Sequence, residues 1–239
     1  MSSGEIDSPT TLIIPLHKGY IVMSNQRRMS IFLSIAMWAS NHNVDKEQVN
    51  PKLFNLSTIK GCLTRKATEL LQSKNITGVM DCLDSQDGMA FIVDNLNPLI
   101  TYGLYEEALF NAYIGTKTNF NAWNLRDLKL LFNLADKNIL YGLGDEVSEK
   151  YPITVYRGIC GDGDAYRPRG LSWTTNLETA KWFAKFPQQR YEKKFNNVHV
   201  YKTKVSEKKT YFFTNDRDER EFVCDITPKH KIELIWSDE

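Results

Sequence analysis

The sequence predicts an α+β fold with its helices first and its strands last. Two observations carry this. Apolar residues recur at helical spacing from about residue 28 to about residue 140, and after about residue 145 they give way to short β-branched or aromatic runs separated by turn residues. The two textures follow one another instead of alternating, which argues against a doubly wound α/β nucleotide fold.

Element by element, the first ten residues are small and polar and read as a frayed or tag-like end. TLIIPLHKGYIVM (11–23) reads as a strand pair or an irregular arm packed on the body. IFLSIAMWA (31–39) is too short to span a bilayer and too far in for a signal peptide, so it reads as a buried helix. STIKGCLTRKATELLQS offers Ser57 as an N-cap, with Ile59, Leu63, Ala67 and Leu70 at helical spacing. DNLNPLITYGL (94–104) breaks the run with Pro98 and Gly103. YEEALFNAYI (105–114) and NLRDLKLLFNLADKN (124–138) resume it, the latter with Leu125, Leu128, Leu131 and Leu134 on one face.

Six runs then read as strands: ITVYRGI (153–159), RGLSWTT (169–175), NVHVYKTKV (197–205), KTYFFTN (209–215), REFVCDI (220–226) and HKIELIW (230–236). Only LETAKWFAKF (177–186) interrupts them as a helix, with Ala180, Phe183 and Ala184 on one side. A helical N-terminal part is therefore expected to precede a mainly β C-terminal part; grouping the helices just before the strands with the latter gives parts over 1–110 and 111–239.

With 239 residues the chain has ample length to bury a core. Its net charge of +1 argues against a strong nonspecific grip on nucleic acid or on an anionic membrane. Cys62, Cys82, Cys160 and Cys224 lie far apart, with no C-x-x-C pair, and read as thiols of a reducing compartment. The four histidines are equally scattered, so no metal site is expected. The expected location is the cytoplasm.

Three features of the β-rich part can carry chemistry. Arg157 is expected at a strand end, where a planar guanidinium can fork onto a phosphate, and Gly158 beside it lets a ligand approach the main chain. On an extended chain Ser172 and Thr174 share one face, with Trp173 anchoring the strand from behind. Glu219 and Glu221 are two apart, so on an extended chain they too leave from one face, a repulsive arrangement that folding alone would not choose.

In this order the pattern YRG, SWT followed by a short helix, YFF, the polar loop TNDRD and then ERE resembles the mono-ADP-ribosyltransferases of the Arg-Ser-Glu class. The likeness covers roughly residues 150–239, with the core motifs in 150–226. Phage-encoded transferases that modify host proteins carry similar YRGI and serine-strand segments, so the host cytoplasm is the expected place of action if the chain is of that kind. Ser-Trp-Thr stands where the family has Ser-Thr-Ser, and Arg157 and Ser172, 15 positions apart, are joined by a short connection.

The resemblance implies a split β-sheet core, a catalytic domain over 111–239 and cleavage of the nicotinamide–ribose bond of NAD, the co-substrate, without a metal. It gives Glu221 the cationic ribose, Ser172 the aiming of Glu221, Arg157 a phosphate and Gly158 the nicotinamide amide, while Thr174 supplies the last hydroxyl of the strand. Glu219 is left to guide the incoming nucleophile, an arginine of a protein acceptor. An NAD glycohydrolase and a catalytically inactive binding module are the alternatives. The N-terminal part either recognises the target, restrains the site or completes the fold, and the last is the plainest expectation.

Overall fold

A computed structural model describes residues 25–115, 123, 125–162 and 168–238. The two readings made for residues 1–10 and 11–23 lie outside the described residues.

Among the described residues eight α-helices come first: α1 (Asn25–Asn41), α2 (Thr64–Gln72), α3 (Ile76–Met80), α4 (Gly88–Asp94), α5 (Leu96–Thr101), α6 (Tyr105–Gly115), α7 (Leu125–Leu134) and α8 (Lys137–Leu143). The strands follow as β1 (Ile153–Gly161), β2 (Ser172–Thr174), β3 (Asn197–Val205), β4 (Thr210–Thr214), β5 (Glu221–Cys224) and β6 (Glu233–Ser237), with α9 (Leu177–Tyr191) between β2 and β3. Each of the six strand-like runs holds one strand. The fold is mixed α+β with a six-stranded antiparallel sheet in the order β4-β5-β2-β1-β3-β6.

Side-chain caps start several helices. Asn75 accepts from the Gly78 N–H, Asp136 from Asn138 and Ile139, and Asn176 from Glu178 and Thr179, each satisfying donors the helix itself cannot use. Asn95, fully buried between α4 and α5, accepts from the Asn55 N–H at 2.6 Å and donates to the Asn55 and Phe91 carbonyls.

Three helix expectations are corrected and one holds. Ser57 caps nothing: a short 3₁₀ turn at Gly61–Leu63 intervenes, and α2 begins at Thr64. The break expected in 94–104 is present: α4 ends at Asp94, α5 starts afresh at Leu96 with Pro98 in its first turn, where a missing N–H leaves no intrahelical bond unmade, and the chain turns again at Gly103, whose φ is +69°. The helix at 31–39 is not buried all round. Ile35 faces the core, but Leu33 and Met37 are 61% and 60% exposed. On α9 the buried side is Ala180 and Ala184, while Phe183 turns outward at 37% exposure.

The largest core runs without interruption from Ile35 on α1 to Val223 on β5, taking in Leu171, Tyr211 and Phe212. Phe110, Tyr113 and Phe132 of α6 and α7 meet Phe212 edge-on or tilted, with ring centroids 4.8–6.3 Å apart. The division expected near residue 110 falls inside α6, and the packing continues across it. A second core joins Ile153 and Val155 of β1 to Trp173, Phe213 and Phe222, and a third sets Ala180 and Ala184 of α9 against Val198 and Val200.

The two halves of the sheet, β4-β5-β2 and β1-β3-β6, meet at one residue pair, Tyr156 opposite Thr174. By contrast β1 pairs with β3 along all of Ile153–Gly161. Past Tyr156, among the described residues, β1 keeps its backbone pairing with β3 but has no further pair with β2, and the sheet forks between β1 and β2. The candidate residues gather there.

Candidate active site

Register places the polar residues. Thr174 lies opposite Glu221, and Glu221 opposite Thr214, so the three share a face with Ser172, two residues before Thr174. The other face presents Trp173, Phe222 and Phe213, all buried, and the indole N–H of Trp173 donates to the Gly170 carbonyl at 2.9 Å.

Glu221 opens β5 and is half-buried. Burial pushes its carboxyl above the ordinary glutamate range and Glu219 adds to the push, while a hydrogen bond from the Ser172 hydroxyl and the charges of Arg217 and Arg157 oppose it. The result is a half-buried carboxylate that faces a hydroxyl from the neighbouring strand.

Arg157 is not at a strand end. It occupies the middle of β1, because β3 continues pairing to Gly161. Its guanidinium lies in the fork: Nη1 donates to the Ser172 carbonyl at 2.5 Å, and Nε is buried without a partner. Burial draws its pKa down, against the fields of Tyr113 and Glu221. Gly170 makes room, since a Cβ there would stand 2.3 Å from the guanidinium carbon.

Gly158 serves a different neighbour from the one expected. A Cβ at this position would meet the Ala180 carbonyl oxygen at 1.8 Å and the Ala184 nitrogen at 2.7 Å. The backbone that approaches closely is that of α9, not a ligand. Thr174 is also taken up internally: its hydroxyl donates to the Glu219 carbonyl at 2.7 Å and accepts from the Asn176 N–H at 3.0 Å. It ties the turn before β5 to the start of α9.

The pair of glutamates is not an extended dipeptide repeat. Glu219 has φ −85° and ψ −15°, and Arg220 has φ +48°, so only Glu221 belongs to a strand. They are nonetheless close enough for Glu219 to act on Glu221 electrostatically. Burial raises Glu219 as well, with Arg217 opposing and Asp216 reinforcing.

Three residues of this turn, Arg217, Asp218 and Arg220, hold positive φ without being glycine. The turn is pinned on several sides. Asn215 N–H donates to Asp145, Asp216 N–H to the Thr214 hydroxyl, and the Arg220 guanidinium to Thr175 at 2.9 Å and to Glu149.

Sequence reasoning missed Gly170, Tyr113 and the anchoring role of Arg220. Tyr113 comes from α6 and is 6% exposed; burial and the charge of Glu221 raise its pKa well above the ordinary tyrosine value, and Arg157 opposes them. Nothing in its local sequence separates it from a core tyrosine. Gly170, by contrast, is a glycine two residues before the serine, a position where a close approach can be asked after.

Among the described residues no group of three or more His, Cys, Asp or Glu side chains could hold a metal ion, and no helix is long and apolar enough to cross a membrane. Comparison of the chain with protein-family models, with curated proteins and with solved structures found no match.

Proposed function

We propose that the chain is a mono-ADP-ribosyltransferase that moves ADP-ribose from NAD to an arginine of a protein acceptor and releases nicotinamide. One observation carries this reading: a half-buried glutamate, Glu221, sharing a sheet face with the Ser172 hydroxyl, with a second carboxylate and the Arg157 guanidinium within its field. The order of these residues along the chain, which resembles the Arg-Ser-Glu transferases, supports it, as does the fork in the sheet at which they meet.

As the nicotinamide–ribose bond lengthens, positive charge grows on the ribose. A carboxylate fixed beforehand in a half-dry site stabilises that charge without the reorganisation water would need. Glu221 has this part, and Ser172 fixes its direction. Arg157 gives one bond to Ser172, and its unpartnered Nε is a donor that a phosphate oxygen of NAD would satisfy. Gly158 and Thr174, being engaged by α9 and by Glu219, are left out of the ligand set.

Glu219 receives the acceptor. A guanidinium is a poor nucleophile, so a carboxylate must orient it and draw off a proton. The raised proton affinity of Glu219 suits that task better than an ordinary surface glutamate would. The same observation favours transfer to an arginine over hydrolysis of NAD by water.

Incubation with labelled NAD and a cell lysate tests the proposal. Label on protein, with nicotinamide released in step, is the expected result. Nicotinamide release without label would make the chain a glycohydrolase, and the absence of both would leave the fold as a binding module.

A further inference from the structure

Arg217 lies against the carboxylate to which the transferase reading gives the acceptor guanidinium. Its Nε is 3.6 Å from Glu219 Oε1 and 3.6 Å from Asp216 Oδ2. These are ion-pair distances, longer than a hydrogen bond, so the guanidinium is gathered toward Glu219 without being locked. Its charge is also felt at Glu221, so it stands in the field of both carboxylates. The side chain is 48% exposed while Glu219 is 23% exposed, which leaves the guanidinium on the open side of the pair.

Other arginines near the site are committed elsewhere. Arg157 donates to the Ser172 carbonyl, Arg169 to the Thr227 and His230 carbonyls, and Arg220 to Thr175 and Glu149. The left-handed φ of +59° at Arg217 and +58° at Asp218 folds the chain back so that residue 217 meets residue 219. A strained turn is here placing a guanidinium against Glu219.

We propose that Arg217 is an acceptor in its own molecule: the protein ADP-ribosylates itself at Arg217, and this modification closes the acceptor position. The inference rests on the transferase reading and names a substrate for it. In the step, the bond from ribose C1′ to the nicotinamide nitrogen breaks, and its electron pair leaves with nicotinamide. A terminal nitrogen of Arg217 forms a bond to C1′, and the proton it loses passes to Glu219 and then to water. Nothing is oxidised or reduced. The product carries a pyrophosphate beside Glu219, which excludes a second guanidinium by bulk and repels the carboxylate, so the reaction limits itself.

The purified full chain, given labelled NAD and no other protein, should gain the mass of one ADP-ribosyl group, located on Arg217 by peptide fragmentation. The rate constant should not change with protein concentration, as for a reaction within one molecule. Arg217→Lys keeps the positive charge beside Glu219 but removes the guanidinium, so labelling should fall at least tenfold while nicotinamide release persists. Preincubation with NAD should slow later transfer to a small guanidine such as agmatine in the parent and not in Arg217→Lys. Nicotinamide release with label absent, or on another residue, or unchanged in Arg217→Lys, would overturn the inference and leave the transferase reading standing. A rate that rises in proportion to protein concentration would overturn it too. If the parent releases no nicotinamide from NAD, the transferase reading fails first and the inference goes with it.

Discussion

β4, β5 and β2 are held by the helical body, whereas β1, β3 and β6 are held by α9. In the first half, Phe212 sits among Phe110, Tyr113 and Phe132, and the core that encloses it extends back to α1. In the second, α9 lies so close to β1 that only a glycine fits at 158. One strand set is fastened by large aromatic side chains, the other by backbone against backbone. The two are joined in register at a single pair, and the polar cluster occupies the fork beside that pair. A site built at such a seam draws residues from both halves without needing a long strand, and β2 is three residues long.

Breaking the core shared by the two halves, and then the seat of α9, sharpens this contrast. The largest effect is expected at Trp173, fully buried in the core that joins β1 to β2 and β5. Trp173→Ala should cost about 4 kcal/mol, read as a loss of denaturation midpoint with denaturant slope unchanged. Gly158→Ala should follow at about 3 kcal/mol, because the obstructing atoms are helix backbone and cannot rotate away. If that variant melts like the parent, α9 is not fastened as described.

Gly170→Ala should do less to stability, about 1–2 kcal/mol, because what stands in the way is the end of the Arg157 side chain. Its larger effect should be on NAD turnover, since the guanidinium must leave Ser172. A variant that is both stable and fully active would remove Arg157 from the account.

The smallest effect is a pH dependence. Burial raises the carboxyls of Glu221 and Glu219 in the folded protein, so the folded state binds their protons more tightly than the unfolded chain does. Their cost to stability is absent below the ordinary glutamate range and grows as pH rises through the higher folded values. Glu221→Gln should therefore melt above the parent at neutral pH, and the gap should close as pH falls through the ordinary glutamate range. A gap that widens on acidification would contradict the burial of this charge.

Much of this architecture was legible in the chain. Six β-branched or aromatic runs became six strands, because turn residues separated them and local preference agreed with the sheet. The face shared by Ser172 and Thr174 followed from simple alternation. The glutamates were misjudged because alternation was extended one residue too far. Arg217, Asp218 and Arg220 adopt left-handed backbone without being glycine, and no residue type there announces it. Gly158 was read as an opening for a ligand, since a sequence shows that a close approach occurs but not which atoms make it. Tyr113 was illegible for a related reason: it reaches the site through the packing of α6 on β4, a contact 99 residues apart at Phe212.

The central claim is that the two glutamates divide the labour, Glu221 serving the ribose and Glu219 the acceptor. Nicotinamide release and protein labelling should be measured together on Glu221→Gln and Glu219→Gln. Glu221→Gln should lose both, by about 10²–10³-fold, since each product passes through the same cationic ribose. Glu219→Gln should lose labelling and keep most of the nicotinamide release, because water needs less guidance than a guanidinium. The opposite pattern, with release lost in Glu219→Gln and kept in Glu221→Gln, would contradict the assignment, and two variants that behave like the parent would remove the site altogether.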